Sequence, residues 1–312
     1  MSELAKITEL ILQLEQQKPI RESDWTANID LPYQTVGLVL RAGLLTWPKG
    51  IDLLNTEIIN AALDKDNRHL DLHIHKCIAS TNTLLVQEAQ TASIDNRVCA
   101  AEFQYQGRGR RGRQWLSPYA RNLAVSLGRA SARNLSDLGG LSLVVGLALA
   151  EALETAGVVG VALKWPNDLW VKNKKLAGIL VELVSSKQGT QVIIGFGVNV
   201  DLSNAEVRSI DQPVTDVRRC GSLVKRSMLL AACLNALNRY LRHFEENGFS
   251  PFISTFDTLH ALQGKDCNLI SAGRTPDRPV KVLGVGETGE LIVESARGKE
   301  RIHGGEVSIR PK

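Results

Sequence analysis

The chain has no C-x-x-C pair, and its five cysteines (Cys77, Cys99, Cys220, Cys233, Cys267) are scattered and odd in number. That argues against a disulfide framework or a zinc site, and for reduced thiols in a cytosol. No signal peptide is visible at the polar N-terminus, which reads as a helix with early acidic residues. The longest apolar run, Leu141 to Leu149, is too short to span a bilayer and contains Ser142 and Gly146. A cytoplasmic protein with no membrane association is the expectation. There is no internal repeat and no low-complexity segment. Charge of one sign is not in large excess either: a net +4 permits an anionic ligand or carrier without arguing for nucleic acid. A Ser-His-Asp set and an H-E-x-x-H are missing as well, so hydrolysis has no support.

What is present is ordinary globular composition, 44% hydrophobic and 22% charged, over 312 residues. That length suits two or three domains at about 100–200 residues each. Leu4 to Leu14 has helical spacing of its apolar residues. Asp24 to Asp52 holds one short helix-like piece and then a turn at Trp47-Pro48-Lys49-Gly50. Leu53 to Leu63 reads as a helix capped by Asn55 or Thr56, and the charged run Asp64 to Arg68 as a domain boundary. Leu70 to Ile78 alternates as a strand. His73 and His75 share one face of it, and with no third ligand nearby they read as solvated strand residues rather than a metal pair. A strand from Val98, an arginine loop and a strand at Asn122 to Leu127 follow. Leu138 to Ala156 is a long helix stopped by Gly157. Val161 to Trp165, Lys175 to Val184 and Gln191 to Val200 suggest an antiparallel meander turning on P-N-D and K-N-K-K. An amphipathic helix runs from about Lys225 to Glu246. Short strands at Val280 to Val285, Leu291 to Val293 and Glu306 to Ile309 close the chain as a small barrel-like β domain.

Four polar features stand where this pattern predicts loops or strand ends. Ser80-Thr81-Asn82 opens a helix, as plain N-caps do, or offers hydroxyls and an amide to a polar ligand head. Gly107 to Arg113 packs four arginines and three glycines into seven residues. Glycine lets the backbone approach a ligand closely, and guanidinium forks suit carboxylate and phosphate. No G-K-[ST] ends the loop, so it is not a Walker loop, while a basic nucleic-acid patch is its rival. Gln104 adds an amide on the approaching strand. Lys164-Trp165-Pro166-Asn167-Asp168 precedes Lys174-Lys175-Leu176-Ala177-Gly178, which puts Lys175 at a pocket rim. Asp168 is open on sequence alone to a lysine or to magnesium. Gly195 and Gly197 leave one face of a strand bare, as a bulge or as a place for a flat ligand, with Asn199 on the same face.

The runs A-E-F-Q-Y-Q-G-R-G-R-R-G-R-Q-W, K-W-P-N-D-L, K-L-A-G-I-L-V-E, I-G-F-G-V-N-V and the closing G-G-E-V-S closely resemble the bacterial biotin protein ligases of the BirA type, in order and spacing from Leu70 onward. The resemblance implies an α+β fold: a winged-helix-like N-terminal domain (1–66), a class II synthetase-like catalytic domain with a mixed, largely antiparallel sheet (67–262), and a small SH3-like barrel (263–312). It implies activation of biotin with ATP and Mg²⁺ to biotinyl-5′-AMP, then transfer to a lysine of the biotin carboxyl carrier protein of acetyl-CoA carboxylase. By motif, Ser80, Thr81, Asn82 and Gln104 hold biotin, and Arg108, Gly109 and Arg110 form the loop over biotin and the adenylate. Lys175 sits near the carboxylate and α-phosphate and, with Arg110, carries the catalysis. Lys164, Asp168, Gly178 and Asn199, with Arg110, serve the nucleotide. The Mg²⁺ ligands would be mostly phosphate oxygens and water, and a homodimer is expected in some ligand states.

Two departures qualify the resemblance. BirA-type proteins often stack adenine on a tryptophan downstream of the glycine strand, but this chain has Gln212-Pro213-Val214-Thr215 there and no tryptophan after Trp170. Between residues 20 and 50 only Arg21, Arg41 and Lys49 are basic. A recognition helix makes several phosphate and base contacts, so a degenerate DNA-binding domain with weak or no operator binding is expected. The rival functions are a lipoate-protein ligase and a biotin-sensing transcriptional regulator.

Overall fold

The computed structural model describes residues 3–16, 18–48, 50–133, 135–187, 189–271, 278–304 and 307–311. Lys49 of the expected turn and Gly305-Glu306 of the closing motif lie outside the described residues.

The N-terminal unit runs α1 (Glu3–Glu15), β1 (Ile20–Arg21), α2 (Glu22–Asn28), α3 (Tyr33–Val36), β2 (Val39–Arg41) and β3 (Leu44–Thr46). Its antiparallel sheet has the order β1-β3-β2. Two helices and two strands, α2, α3, β2 and β3, thus lie over Asp24 to Asp52, where the sequence suggested one helix-like piece. Ile7, Ile11 and Leu14 project from α1 at helical spacing onto Trp25, Val36 and Leu45. Phe103 and Tyr119 of the next unit complete this core. Trp47 stacks on the Tyr119 ring at 4.3 Å, and the Tyr119 hydroxyl donates to Glu15. α3 is a single turn, and the Tyr119 N–H donates to its Val36 carbonyl at 2.8 Å.

α4 (Thr56–Ala62) is capped by Asn55, whose side chain accepts from the Ile58 N–H. Leu54, Ile59 and Leu63 enter the core of the central sheet rather than that of the N-terminal unit. Asp64 to Arg68, expected as a boundary, is no break in packing. Asn67 there is buried, donates to Asn235 at 2.7 Å and accepts from Asn238.

The central unit comprises β4 (Asp71–His75), α5 (Thr81–Ala89), β5 (Arg97–Ala101), β6 (Asn122–Ser131), α6 (Leu141–Thr155), β7 (Val161–Lys164), β8 (Asp168–Val171), β9 (Lys174–Ser186), β10 (Gly189–Asn199), α7 (Asn204–Arg208), α8 (Arg226–Asn247) and α9 (Ile253–Leu259). Seven strands form one sheet in the order β4-β5-β6-β10-β9-β8-β7, parallel only between β4 and β5. β8 is an addition to the expected meander. It pairs with both neighbours, and Lys172 and Asn173, both at positive φ, make the two-residue turn into β9. The long helix starts at Leu141 rather than Leu138 because Gly140 sits at φ 78, outside helical geometry. His73 bonds to Asp71 at 2.9 Å.

Strand alternation divides the sheet. Val192, Ile194, Phe196 and Val198 of β10 join the core under α6 and α8, while Ile193 packs with Leu85 and Ala89 of α5 on the other side. A buried ion pair fastens the layers: Arg226 and Glu102 are 1% and 0% exposed and 2.6 Å apart. Arg226 also donates to the carbonyls of Asp52 and Asn122, and Glu102 accepts from the Leu54 N–H. Removing one member of such a pair costs about 3–5 kcal/mol.

β11 (Asp266–Ser271), β12 (Arg278–Val285), β13 (Leu291–Ser295), β14 (Gly298–Ile302) and β15 (Val307–Pro311) form a five-stranded antiparallel sheet, order β14-β13-β12-β11-β15. β11 and β14 were not legible in the sequence. At the junction with the central unit, His260 is 5% exposed, and burial pulls its pKa from 6.5 to about 4. The unfolded chain then binds a proton that the folded one refuses, so this contribution to stability is full above pH 6.5 and is lost as pH falls toward 4. The complete loss is about 3 kcal/mol. Urea melts of wild type and His260→Leu between pH 7 and 4.5 should show a steeper decline in the wild type, and parallel curves would assign the acid sensitivity elsewhere.

Candidate active site

On the α5 side of the sheet lies a cavity of about 680 Å³, bounded by the α5 N-terminus, the arginine loop and the β7–β9 turns. Ser80, Thr81, Asn82, Gln104, Arg108, Gly109, Arg110, Lys164, Asp168, Lys175 and Gly178 all line it. Asn199 does not. Its amide donates to the Thr215 carbonyl at 3.1 Å, where the chain folds back over the end of β10.

One end is polar, with the charges of Arg108 and Glu182 balanced against each other at 2.7 Å. Ser80 caps α5 and also lines the cavity. The Thr81 N–H donates to Gln104 Oε1 at 2.8 Å, and Ser126 Oγ donates to Thr81 Oγ1 at 2.7 Å. Asn82 Nδ2 donates to the Leu180 carbonyl at 3.1 Å and to Glu182 at 2.8 Å.

The arginine loop is a folded hairpin. Trp115 N–H bonds the Gly107 carbonyl and Gly109 N–H the Arg113 carbonyl, each at 2.8 Å, around a turn at Arg110–Gly112. Arg110 reaches Asn167 Oδ1 at 3.1 Å. Burial lowers its pKa, with Arg111 beside it acting the same way and Asp168 opposing.

The other end gathers charge. Lys175 Nζ lies 2.7 Å from Asp168 Oδ1, with side chains 15% and 13% exposed, and 5.5 Å from the centre of the Trp115 ring. Asp168, left open between lysine and metal by sequence, is paired with lysine here. Lys164 Nζ sits 4.8 Å over Trp170. Burial lowers the Lys164 pKa, Asp168 raises it, and Lys175, Arg310 and Arg113 lower it further. Lys265 and Arg310 line this end too, so the C-terminal sheet and its approach contribute to the site.

The bare glycine face has an occupant from within the chain. A side chain at Gly197 would overlap the Trp115 indole, and one at Gly195 the Asn82 amide. The flat group against the strand is Trp115. Gly197→Ala should displace the indole and lower stability by about 1–3 kcal/mol. An unchanged urea midpoint together with unchanged tryptophan emission would show that the ring yields freely.

Sequence reasoning missed Trp115, Asn167, Glu182, Ser126, Lys265 and Arg310. For Trp115 a signal existed, an indole closing the arginine loop with two small residues on the strand that would receive it. Among the described residues no cluster of three or more His, Cys, Asp or Glu is placed to hold a metal.

A polar recess joined to a cationic one suits an enzyme that activates a carboxylate carried by its own substrate. The sequence model of the Biotin/lipoate A/B protein ligase family matches residues 74–199. The bifunctional ligase/repressor BirA of Salmonella typhimurium is 35% identical over 276 residues, 84% of this chain and 80% of that protein. The biotin–[acetyl-CoA-carboxylase] ligase of Paracoccus denitrificans is 31% identical over 234 residues, 73% of this chain and 96% of that one. The biotin protein ligase of Aquifex aeolicus, solved in complex with biotin and ATP, superposes with a TM-score of 0.65 at 29% identity, covering 78% of this chain and 99% of that one. The chain belongs to the biotin/lipoate A/B protein ligase family.

Proposed function

We infer that the chain joins biotin to protein in two steps: biotin and ATP give biotinyl-5′-AMP and pyrophosphate, and a carrier lysine then displaces AMP. The observation that carries this is the hairpin Gly107–Trp115 folded between the polar end at α5 and the Lys175–Asp168 pair. In the first step the biotin carboxylate attacks the α-phosphorus, so no protein base is needed. The obstacle is the approach of two anions, which fixed cations lower electrostatically.

Ser80, Thr81, Asn82 and Gln104 hold the ureido head, with Trp115 as the wall of the pocket. Lys175 lies between carboxylate and α-phosphate. Lys164, Arg110 and Arg310 surround the phosphates, and Gly178 leaves room beside Lys175. Asn199 supports the nucleotide side from beneath, through the segment at Thr215. Mg²⁺ would arrive on the triphosphate, at a cationic end whose lining also carries the carboxylates of Asp168 and Asp211, and magnesium would neutralise phosphate charge there. The acceptor is the carboxyl carrier protein of acetyl-CoA carboxylase.

The order α1-β1-α2-α3-β2-β3 with sheet order β1-β3-β2 supports a winged-helix-like N-terminal domain, and the five short strands support an SH3-like C-terminal one. Operator binding is weak or lacking: α3 has one turn, and its Val36 end is buried against Tyr119. Tight biotin-dependent retardation of this protein's own biotin-synthesis promoter in a gel shift would overturn that. That none of the five cysteines forms a disulfide supports a cytoplasmic setting. No helix among the described residues is long and apolar enough to cross a membrane. β4 ends the sheet and offers an edge for pairing two copies.

The test is intact-mass spectrometry of an apo carrier domain incubated with the protein, Mg-ATP and equal biotin and lipoate. A biotin-sized gain on one lysine is expected. A lipoyl gain would change the substrate, and no gain with biotin still bound would favour a sensor.

A further inference from the structure

The cavity must accept two anions, yet a carboxylate faces its biotin end. Ile179 and Val181 of β9 pack into the core, so alternation turns Glu182 toward α5 and the arginine hairpin. Both its oxygens are engaged. Oε1 accepts from Arg108 Nη2 at 2.7 Å, and Oε2 accepts from Arg108 Nη1 at 3.3 Å and from Asn82 Nδ2 at 2.8 Å. Arg108 Nη1 also lies 3.3 Å from Thr83 Oγ1.

We propose that Glu182 is a positioning residue for biotin: it fixes which way round the Asn82 amide lies and fastens the base of the arginine hairpin, through Arg108, to the sheet. This rests on the ligase reading above. With Nδ2 held by Glu182 and the Leu180 carbonyl, Oδ1 of Asn82 accepts from Ser126 Oγ at 2.5 Å and faces Gly195, which leaves its second lone pair for a ligand donor. The ureido head of biotin carries two N–H donors and one carbonyl, so it needs an acceptor there. A reversed amide would set donor against donor, leaving buried polar groups unsatisfied. Arg108, neutralised by Glu182, is a fastening rather than an anion ligand, and Arg110 further along the hairpin meets the adenylate.

Glu182→Gln keeps the shape and removes the charge. In a pyrophosphate-release assay it should raise KM for biotin about tenfold or more, while kcat at saturating biotin and KM for ATP stay close to wild type. Glu182→Asp, which keeps the charge, should recover part of the loss. Arg108→Ala removes one of the two contacts that Glu182→Gln weakens, so the double variant should be no worse than Glu182→Gln alone. Thermal melting of each variant separates loss of positioning from loss of fold, and Glu182→Asp carries the test if Glu182→Gln does not fold. An unchanged biotin KM, a fall in kcat alone, or effects that multiply in the double variant would overturn the proposal. Those outcomes, obtained beside a wild type that forms adenylate, leave the ligase reading standing. A wild type that forms none counts against that reading instead.

Discussion

Lys175→Gln is expected to slow biotinyl-5′-adenylate formation by about 10²–10³-fold, the range for removing one preorganised group that meets developing charge. The amine sits where the polar and cationic recesses meet, largely buried, 2.7 Å from Asp168 and near the Trp115 face. In so enclosed a place its charge acts through little water. The loss should fall on kcat in rapid-quench measurements, with KM for biotin changed far less. The variant also leaves Asp168 facing the phosphates without its partner. Lys175→Gln with Asp168→Asn removes that repulsion, and recovery of most of the rate in the double variant would mean the lysine serves only to neutralise the aspartate. A loss under about tenfold would move the role to Lys164 or Arg110.

Arg110→Gly should leave adenylate formation measurable and make its product escape. Loss of one charge-assisted contact corresponds to dissociation about 10–100-fold faster. Freed acyl-adenylate reacts with exposed amines, so a bystander protein in the same tube should gain biotin on many lysines, whereas the wild type labels only the carrier. Stopped-flow release and mass spectrometry of the bystander read the two consequences separately. Unchanged release would show that another group does the holding. The guanidinium is well placed for retention, lying on the turn of the hairpin, anchored to Asn167 and partly desolvated.

Much of the site was legible because its motifs are local. Ser80-Thr81-Asn82, the arginine loop and the two lysine runs each declare chemistry within a few residues, and the cavity joins them. Glu182 and Asn167 act across the sheet, where partners are chosen by strand register, and nothing near either residue in sequence announces Arg108 or Arg110. Asn199 stays off the cavity lining for the opposite reason. Alternation does place it in phase with Gly195 and Gly197, but the strand ends there and the segment through Thr215 covers it. Within the charged run Asp64 to Arg68, the asparagine is satisfied by α8, some 170 residues later in the chain, which its own neighbours do not announce. α4 likewise chose its core through contacts that no local pattern encodes.

The placing of β10 has a consequence for how the protein comes apart. That strand is paired along its length with β6 and β9, carries core residues on one face and holds Trp115 and Asn82 against its glycines on the other. Its amide protons can meet solvent only when the whole central unit opens. The Gly107–Arg113 hairpin, tied by side-chain contacts and a few backbone bonds, opens at far lower free energy. Hydrogen exchange should therefore divide the site into a slow floor and a fast cover. On warming, the cover is released first, so activated biotin is lost from a protein whose sheet is still intact.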